Sequence, residues 1–221
     1  MNEMIPEFTE DQIYEAKKEV VRAQVERFHD FYREYFNREE TILMVQYFFE
    51  KIYNLEGRKE WIYLAIDSFD KVKNIMKDST RENVEKLMEL NRLTEKLDGE
   101  MASLLLKKGW KGEQISRESY DEYFSQMGFA TERAHQLQHV LANLQQFYEL
   151  AHRPINSVIL KPVKLMSKML GIYPLFATIE DGYYACMPVR REIFLGFYEE
   201  VKSKEWAYLF DRFPNLRHND E

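Results

Sequence analysis

Residues 9–36 read TEDQIYEAKKEVVRAQVERFHDFYREYF, and their apolar positions carry the fold assignment. Ile13, Ala16, Val20, Ala23 or Gln24, Phe28, Phe31 and Tyr35 recur at steps of three and four, which places them on one face of an amphipathic helix. Thr9 followed by Gln12 supplies a capping box at its start. Moving outward, no proline occurs between Pro6 and Pro154, and the 147 residues between them hold only five glycines. Nothing in that stretch forces the backbone out of a helix.

The periodic pattern continues through most of the chain. Asn37 with Glu40 repeats the capping signal ahead of Ile42, Val45, Phe49, Ile52 and Tyr53, so a second helix is expected there, or one rod from 10 to 55, closed by Gly57. Trp61 to Met76 keeps helical spacing, and Ser79 with Glu82 caps a helix running to about Lys107. Gly109 and Gly112 bracket a turn, followed by a short helix near Ser119–Met127 and a long one from Ala130 to Ala151. From Pro154 onward the remaining five prolines and three glycines predict shorter helices: one over 156–170, a turn at Tyr173-Pro174, a brief segment ending at Asp181-Gly182, and a last helix entered at Pro188. The expected fold is all-α, a bundle of about seven or eight helices with long N-terminal helices and a proline-containing C-terminal third. It is read as one domain over 1–221, with a subdivision near 153 into a long-helix bundle and a C-terminal helical part.

Composition narrows the function classes. The 221 residues are 45% apolar, enough for a continuous core, and carry a net charge of −7 that argues against a nucleic-acid partner. The single cysteine, Cys186, excludes an internal disulfide and a cysteine-based zinc cluster. The acidic N-terminus lacks the order of a secretory signal, and no apolar run reaches the roughly 20 residues of a membrane span, so a cytoplasmic location is expected. Nine aromatic residues between Phe28 and Tyr53 wrap more than one helical face, which suits either core packing or a helix–helix interface such as a homodimer.

Two groups of residues are candidate sites. No acidic residue occurs between Glu149 and Glu180, whereas His152, Arg153, Lys161, Lys164 and Lys168 fall in that gap. At about 100° per residue the three lysines share a 60° arc opposite Val163, Leu165, Met166, Met169 and Leu170. A basic stripe backed by Met and Leu suits an acidic protein surface or a phosphate-bearing ligand, with Arg153 beside it. Within it, Ile159-Leu160-Lys161-Pro162-Val163 resembles the signature helix of Dbl-homology guanine-nucleotide exchange domains, which are all-helical and of similar length. The likeness spans about ten residues and departs at Lys164-Leu165, where that family continues with Gln-Arg, and at Tyr173-Pro174-Leu175, which comes later than in the family. What the resemblance implies is a small-GTPase-directed role as one alternative.

The second group pairs glutamate with histidine. Glu26 and His29, Glu132 and His135, and Glu149 and His152 are each spaced i, i+3, as in four-helix di-iron proteins. His139 extends the second pair, so Glu132, His135 and His139 share one face able to supply three ligands to zinc or iron. The order of glutamates and Glu-x-x-His motifs is not that of the ferritin-like proteins, and His152 faces away from His135 and His139. His29-Asp30 stands without the further ligands of a metal-dependent phosphohydrolase, and serine-hydrolase elbows, phosphate-cradling loops and dinucleotide fingerprints are missing from the sequence. The sequence therefore favours a non-enzymatic interaction or regulatory protein, an adaptor or scaffold, that binds a protein partner through aromatic faces and Lys161, Lys164, Lys168 and Arg153 and needs no cofactor. The alternative is a metal-dependent helical oxidoreductase or hydrolase using Glu132, His135 and His139.

Overall fold

The capping box at the start of the first helix forms as its sequence requires. In the computed structural model the Thr9 hydroxyl accepts the Gln12 N–H at 3.2 Å while the Thr9 N–H donates to Gln12 Oε1 at 2.8 Å, opening α1, Glu10–Phe31. The structure describes residues 8–53, 55, 63–64, 66–67, 69–70, 78–153, 164–165, 167–169 and 173–218, with the side chains of 78–84, 174–175 and 217–218 left aside. After α1 come α2 (Arg33–Phe36), α3 (Ile42–Gln46) and a π-helical turn, Tyr47–Lys51. Next are α4 (Asp78–Lys107), α5 (Arg117–Gln126), α6 (Ala130–Ala151), α7 (Tyr173–Cys186), α8 (Arg191–Arg212) and a closing 3-10 turn, Pro214–His218. The described residues are helical almost throughout and contain no strand, so the protein is an all-α multi-helix bundle.

α1 lies along α4, α4 also meets α6, and α6 packs against both α7 and α8. One buried cluster runs from Ala16 and Val20 of α1 through Met101 and Leu105 of α4 and Leu137 and Leu141 of α6 to Phe197 and Leu209 of α8. It draws on both sides of residue 153. Burial of this kind, at about 25 cal/mol per Å² of apolar surface, is what holds helices whose own propensity is modest.

Several boundaries fall where the sequence put them. α6 spans Ala130–Ala151, α4 ends at Lys107, and Gly109 (φ 86°) and Gly112 (φ 111°) turn the chain between α4 and α5 through the left-handed region that glycine favours. Others differ for physical reasons. The rod from 10 to 55 is interrupted: Tyr32 and Asn37 leave helical geometry, and the buried Thr41 hydroxyl donates to the Tyr35 carbonyl at 2.7 Å, occupying an acceptor exposed by the break. Asn37 and Glu40 are not a cap for α3; Asn37 donates to the Arg33 carbonyl, and Glu40 accepts the Arg190 N–H and guanidinium at 3.0 and 3.1 Å, so it caps α8 instead. Ser79 falls inside α4 rather than at its cap.

The C-terminal third is also more helical than its glycines and prolines suggest. Tyr173-Pro174 forms the first turn of α7 rather than a loose turn, and α7 continues through Gly182 to Cys186. Pro188 precedes α8 by three residues, because Val189 is buried with its carbonyl held by the Tyr148 hydroxyl at 3.0 Å. Gly57, most of 61–76, and the 156–163 portion of the expected basic helix lie outside the described residues. Among the described residues, no helix is long and apolar enough to cross a membrane.

Candidate functional site

A cavity of about 440 Å³ lies where α1, α4, α6 and α8 meet the π-helical turn, within the size range of small-molecule sites. The turn builds one wall. A π turn adds a residue to the helical repeat, here marked by the Ile52 N–H bonding back to the Tyr47 carbonyl at 2.9 Å, and it brings Tyr47, Phe48 and Phe49 to the cavity lining. Phe49 stacks on Tyr32 with centroids 5.1 Å apart and rings 6° from parallel, and Phe48 meets Phe147 of α6 at 5.8 Å. Tyr47 is seated in a notch over Gly182 of α7: its hydroxyl donates to the Thr178 carbonyl at 3.0 Å, and a Cβ at 182 would clash with the hydroxyl edge of its ring at Cζ. Burial, with the neighbouring Cys186 and Asp181 acting the same way, raises the Tyr47 phenol above its ordinary value and keeps it a neutral donor.

Two buried arginines line the cavity, and their surroundings differ. Arg27, 2% exposed, makes a two-pronged ion pair with Glu205 of α8 at 2.9 and 2.7 Å. Glu205 also accepts the Tyr32 hydroxyl at 2.6 Å, Gln24 accepts from Arg27 Nε at 3.2 Å and from the Tyr120 hydroxyl, and the guanidinium lies 4.5 Å from the Tyr208 ring centre. Burial opposes the Arg27 charge, but the charge and hydrogen bonds of Glu205 outweigh it and hold the cation above its ordinary range. Burial, reinforced by Glu205, pushes the Tyr32 phenol up. This cluster is electrically closed.

Arg133 is different. It is 7% exposed in the first turns of α6, donates to Gln136 Oε1 at 2.8 Å, lies 4.8 Å from the Phe124 ring centre, and otherwise reaches only the Met127 sulfur at 4.0 Å. Its Nε is buried with no hydrogen-bond partner, and among the described residues no carboxylate pairs with it. The chain enters α6 through Gly128 (φ 75°) and Phe129 (φ 58°), a left-handed conformation unusual for a phenylalanine, and Phe129 has no side-chain cap to offer.

The residues singled out in the sequence are dispersed. Lys161 lies outside the described residues, as does the Ile159–Val163 string of the exchange-domain resemblance. Lys164 is bound by Glu180 of α7 at 3.0 and 2.7 Å, which raises its pKa, and Lys168 stands 5.0 Å over the Tyr173 ring. Arg153 is exposed just past α6. Of the Glu-x-x-His pairs, none bonds within itself: Glu26 pairs with Arg22, His29 with Glu50 at 2.7 Å, Glu132 with Lys96 at 3.4 Å, and Glu149 accepts from Gln145 at 2.9 Å. His135 is exposed, His152 bonds the Tyr148 carbonyl, and His139 is held below the ordinary histidine value by burial together with the charges of His135 and Lys86. No group of three or more His, Cys, Asp or Glu among the described residues is placed to hold a metal.

Of the aromatic cluster, Tyr32, Tyr35, Phe36, Tyr47 and Phe49 are buried, so these rings serve the core and the cavity wall rather than a partner surface. Large apolar side chains are exposed elsewhere: Leu165 at 63% and Met169 at 79%, four residues apart in a helical stretch, with Tyr184 and Met187 at the end of α7.

The sequence pattern did not single out Arg27 or Arg133; the signal that marks them is an arginine on an apolar stripe, Arg27 after Ala16, Val20 and Ala23, and Arg133 ahead of Leu137, Leu141 and Leu144. No curated protein and no solved structure matches the chain. Residues 6–211 match a family described as a domain of unknown function, DUF8198, and the chain belongs to that family.

Proposed function

We propose that this chain is a non-enzymatic helical interaction or regulatory protein that docks a protein partner on the exposed face of Leu165, Lys168 and Met169. The observation that carries the reading is the exposure of Leu165 and Met169, one helical turn apart, in a segment already tied to α7 by Lys164–Glu180. Met and Leu presented together on a helix form an adaptable apolar strip, and Lys168 beside them favours an acidic rim on the partner. With Lys164 engaged by Glu180 and the aromatic rings of 28–53 largely in the core, this strip replaces the broader surface expected from the sequence.

The test is capture of a partner from an extract of the source organism on immobilised full-length chain, comparing wild type with Leu165→Ser/Met169→Ser and with Lys168→Glu. The double variant should lose a discrete partner while keeping the wild-type unfolding midpoint, since both side chains already face solvent. Lys168→Glu should weaken capture less. Undiminished capture by the double variant overturns the assignment.

A further inference from the structure

The geometry points to the internal cavity as a binding site for a single-chain amphipathic anion, its carboxylate or phosphate headgroup on Arg133 and its apolar tail between α4, α6 and the π-helical turn. The observation is independent of the exposed face. A cation buried in an apolar setting is costly unless a counter-charge accompanies it. Arg27, with Glu205, has one; Arg133 has a neutral amide, a ring face and a thioether sulfur.

The carboxylates buried in the described structure are committed: Glu19 pairs with Arg22 and accepts the Ile115 N–H at 2.7 Å. Asp98 accepts the Tyr53 hydroxyl at 3.0 Å, and both oxygens of Glu205 are held by Arg27. Arg133 also sits near the start of α6, where the aligned peptide dipoles disfavour a cation and favour an anion. Arg212 also has an unpartnered Nε, but its guanidinium is paired with Asp121 and Asp211; Arg133, more than nine-tenths buried, combines an unpartnered Nε with the absence of any described carboxylate partner.

The surroundings supply the remaining parts of the site. Arg133 donates to Gln136, and Gln136 Nε2 donates to Thr94 Oγ1 at 2.8 Å, which fixes the amide of Gln136 and leaves the Thr94 hydroxyl hydrogen to turn toward a headgroup. From there the lining becomes apolar, with Leu87, Leu90, Val140, Leu144 and Phe147. The cavity of about 440 Å³ also carries Lys51, Asn91, Asn143 and the mutually neutralised Arg27–Glu205 pair, but Arg133 is its buried cation without a described carboxylate and most of the lining is aliphatic or aromatic, which suits a fatty carboxylate or an alkyl phosphate better than a compact polar metabolite. The headgroup chemistry shared by those two sources is an oxyanion with at least two acceptor atoms, which the fork of an arginine matches.

The experiment is a titration of the full chain, stripped of bound lipid by organic extraction and refolded, with dodecanoate, dodecyl phosphate and dodecanol below their aggregation limits, followed by calorimetry and by the rise in unfolding temperature. At least one of the two anions should bind with one site per chain and raise the unfolding temperature, and dodecanol should bind at least tenfold more weakly. Preference for dodecanoate or for dodecyl phosphate assigns the headgroup. Arg133→Met should lose at least tenfold in affinity for the anion and leave dodecanol unchanged. A second variant, Val140→Trp, fills the tail region and should abolish binding of all three. The proposal is overturned if neither anion binds the wild type, if dodecanol binds as well as both anions, or if either Arg133→Met or Val140→Trp retains wild-type affinity for the anions.

Discussion

The two buried arginines that line one cavity show how differently a folded chain can treat the same charge. Arg27 on α1 is enclosed by groups that answer it: Glu205 on both prongs, Gln24 on Nε, and the Tyr208 ring beneath. Arg133 on α6 has one amide partner and an orphaned Nε. A closed cluster of this kind fixes how helices pack, here α1 against α8. An open one adds nothing to packing that a methionine would not, and so its presence asks for a ligand.

The widest gap between the two should appear on removing charge. Glu205→Ala leaves Arg27 buried and uncompensated and should destabilise the protein by about 3–5 kcal/mol in urea unfolding. Arg133→Met in the ligand-free protein should change stability by less than about 1 kcal/mol, because the lost packing is replaced and no ion pair is broken. Arg27→Met combined with Glu205→Leu should recover most of the loss from Glu205→Ala. Equal costs for Glu205→Ala and Arg133→Met would erase the distinction on which the ligand site rests.

A smaller effect is expected where the cavity wall meets α7. Gly182→Ala puts a methyl group into the space of the Tyr47 ring, so Tyr47 must tilt and give up its bond to the Thr178 carbonyl. Overpacking of this kind costs about 1–3 kcal/mol. Because Tyr47 lines the cavity, the same change should weaken amphiphile binding while leaving the Arg27–Glu205 cluster in place. Loss of stability without any change in binding would separate the wall from the site.

How much of this was legible in the sequence follows from the range of the forces involved. Local signals were read correctly: the Thr9–Gln12 box, the glycine turn at 109–112 and the bounds of α6 all depend on residues within a few positions of one another. Gly182 was read as a stop because its reason lies in Tyr47, 135 positions away along the chain. Glu40 looked like a cap for the next helix, and its partner Arg190 is 150 residues distant. The candidate sites show the same division. Neither arginine was singled out in the sequence, because that Arg27 has Glu205 178 residues ahead, and that Arg133 has no described counter-charge, are facts of tertiary structure alone. The lysine stripe was visible as a pattern, whereas the capture of Lys164 by Glu180 depends on how the segment folds back on α7.

The smallest effect, and the one that tests the contrast by pH, concerns Asp121 of α5. Burial pushes its carboxyl up, but hydrogen bonds from Tyr208 and Arg212, with the charges of Arg117 and Arg212, outweigh burial and hold it below the ordinary aspartate value. A carboxylate whose folded pKa is depressed adds stability that is present above the unfolded value, about 3.9, and is lost as pH falls through the folded one, since the unfolded chain binds the proton first. Asp121 reaches the Arg27 cluster through Tyr208, whose ring lies under that guanidinium, whereas Arg133 has no described carboxylate to titrate. Below about pH 4 hydrogen exchange should therefore rise at α5 and the end of α8 before the first turns of α6. His139, which must gain a proton as pH falls through the histidine range, adds a loss of its own on α6 at higher pH. The decisive quantity is thus the difference between wild type and Asp121→Asn, which should show the shallower acid dependence. Identical acid dependence in the two proteins, or opening that starts at α6 in both below pH 4, would mean that the two ends of the cavity are not electrostatically distinct.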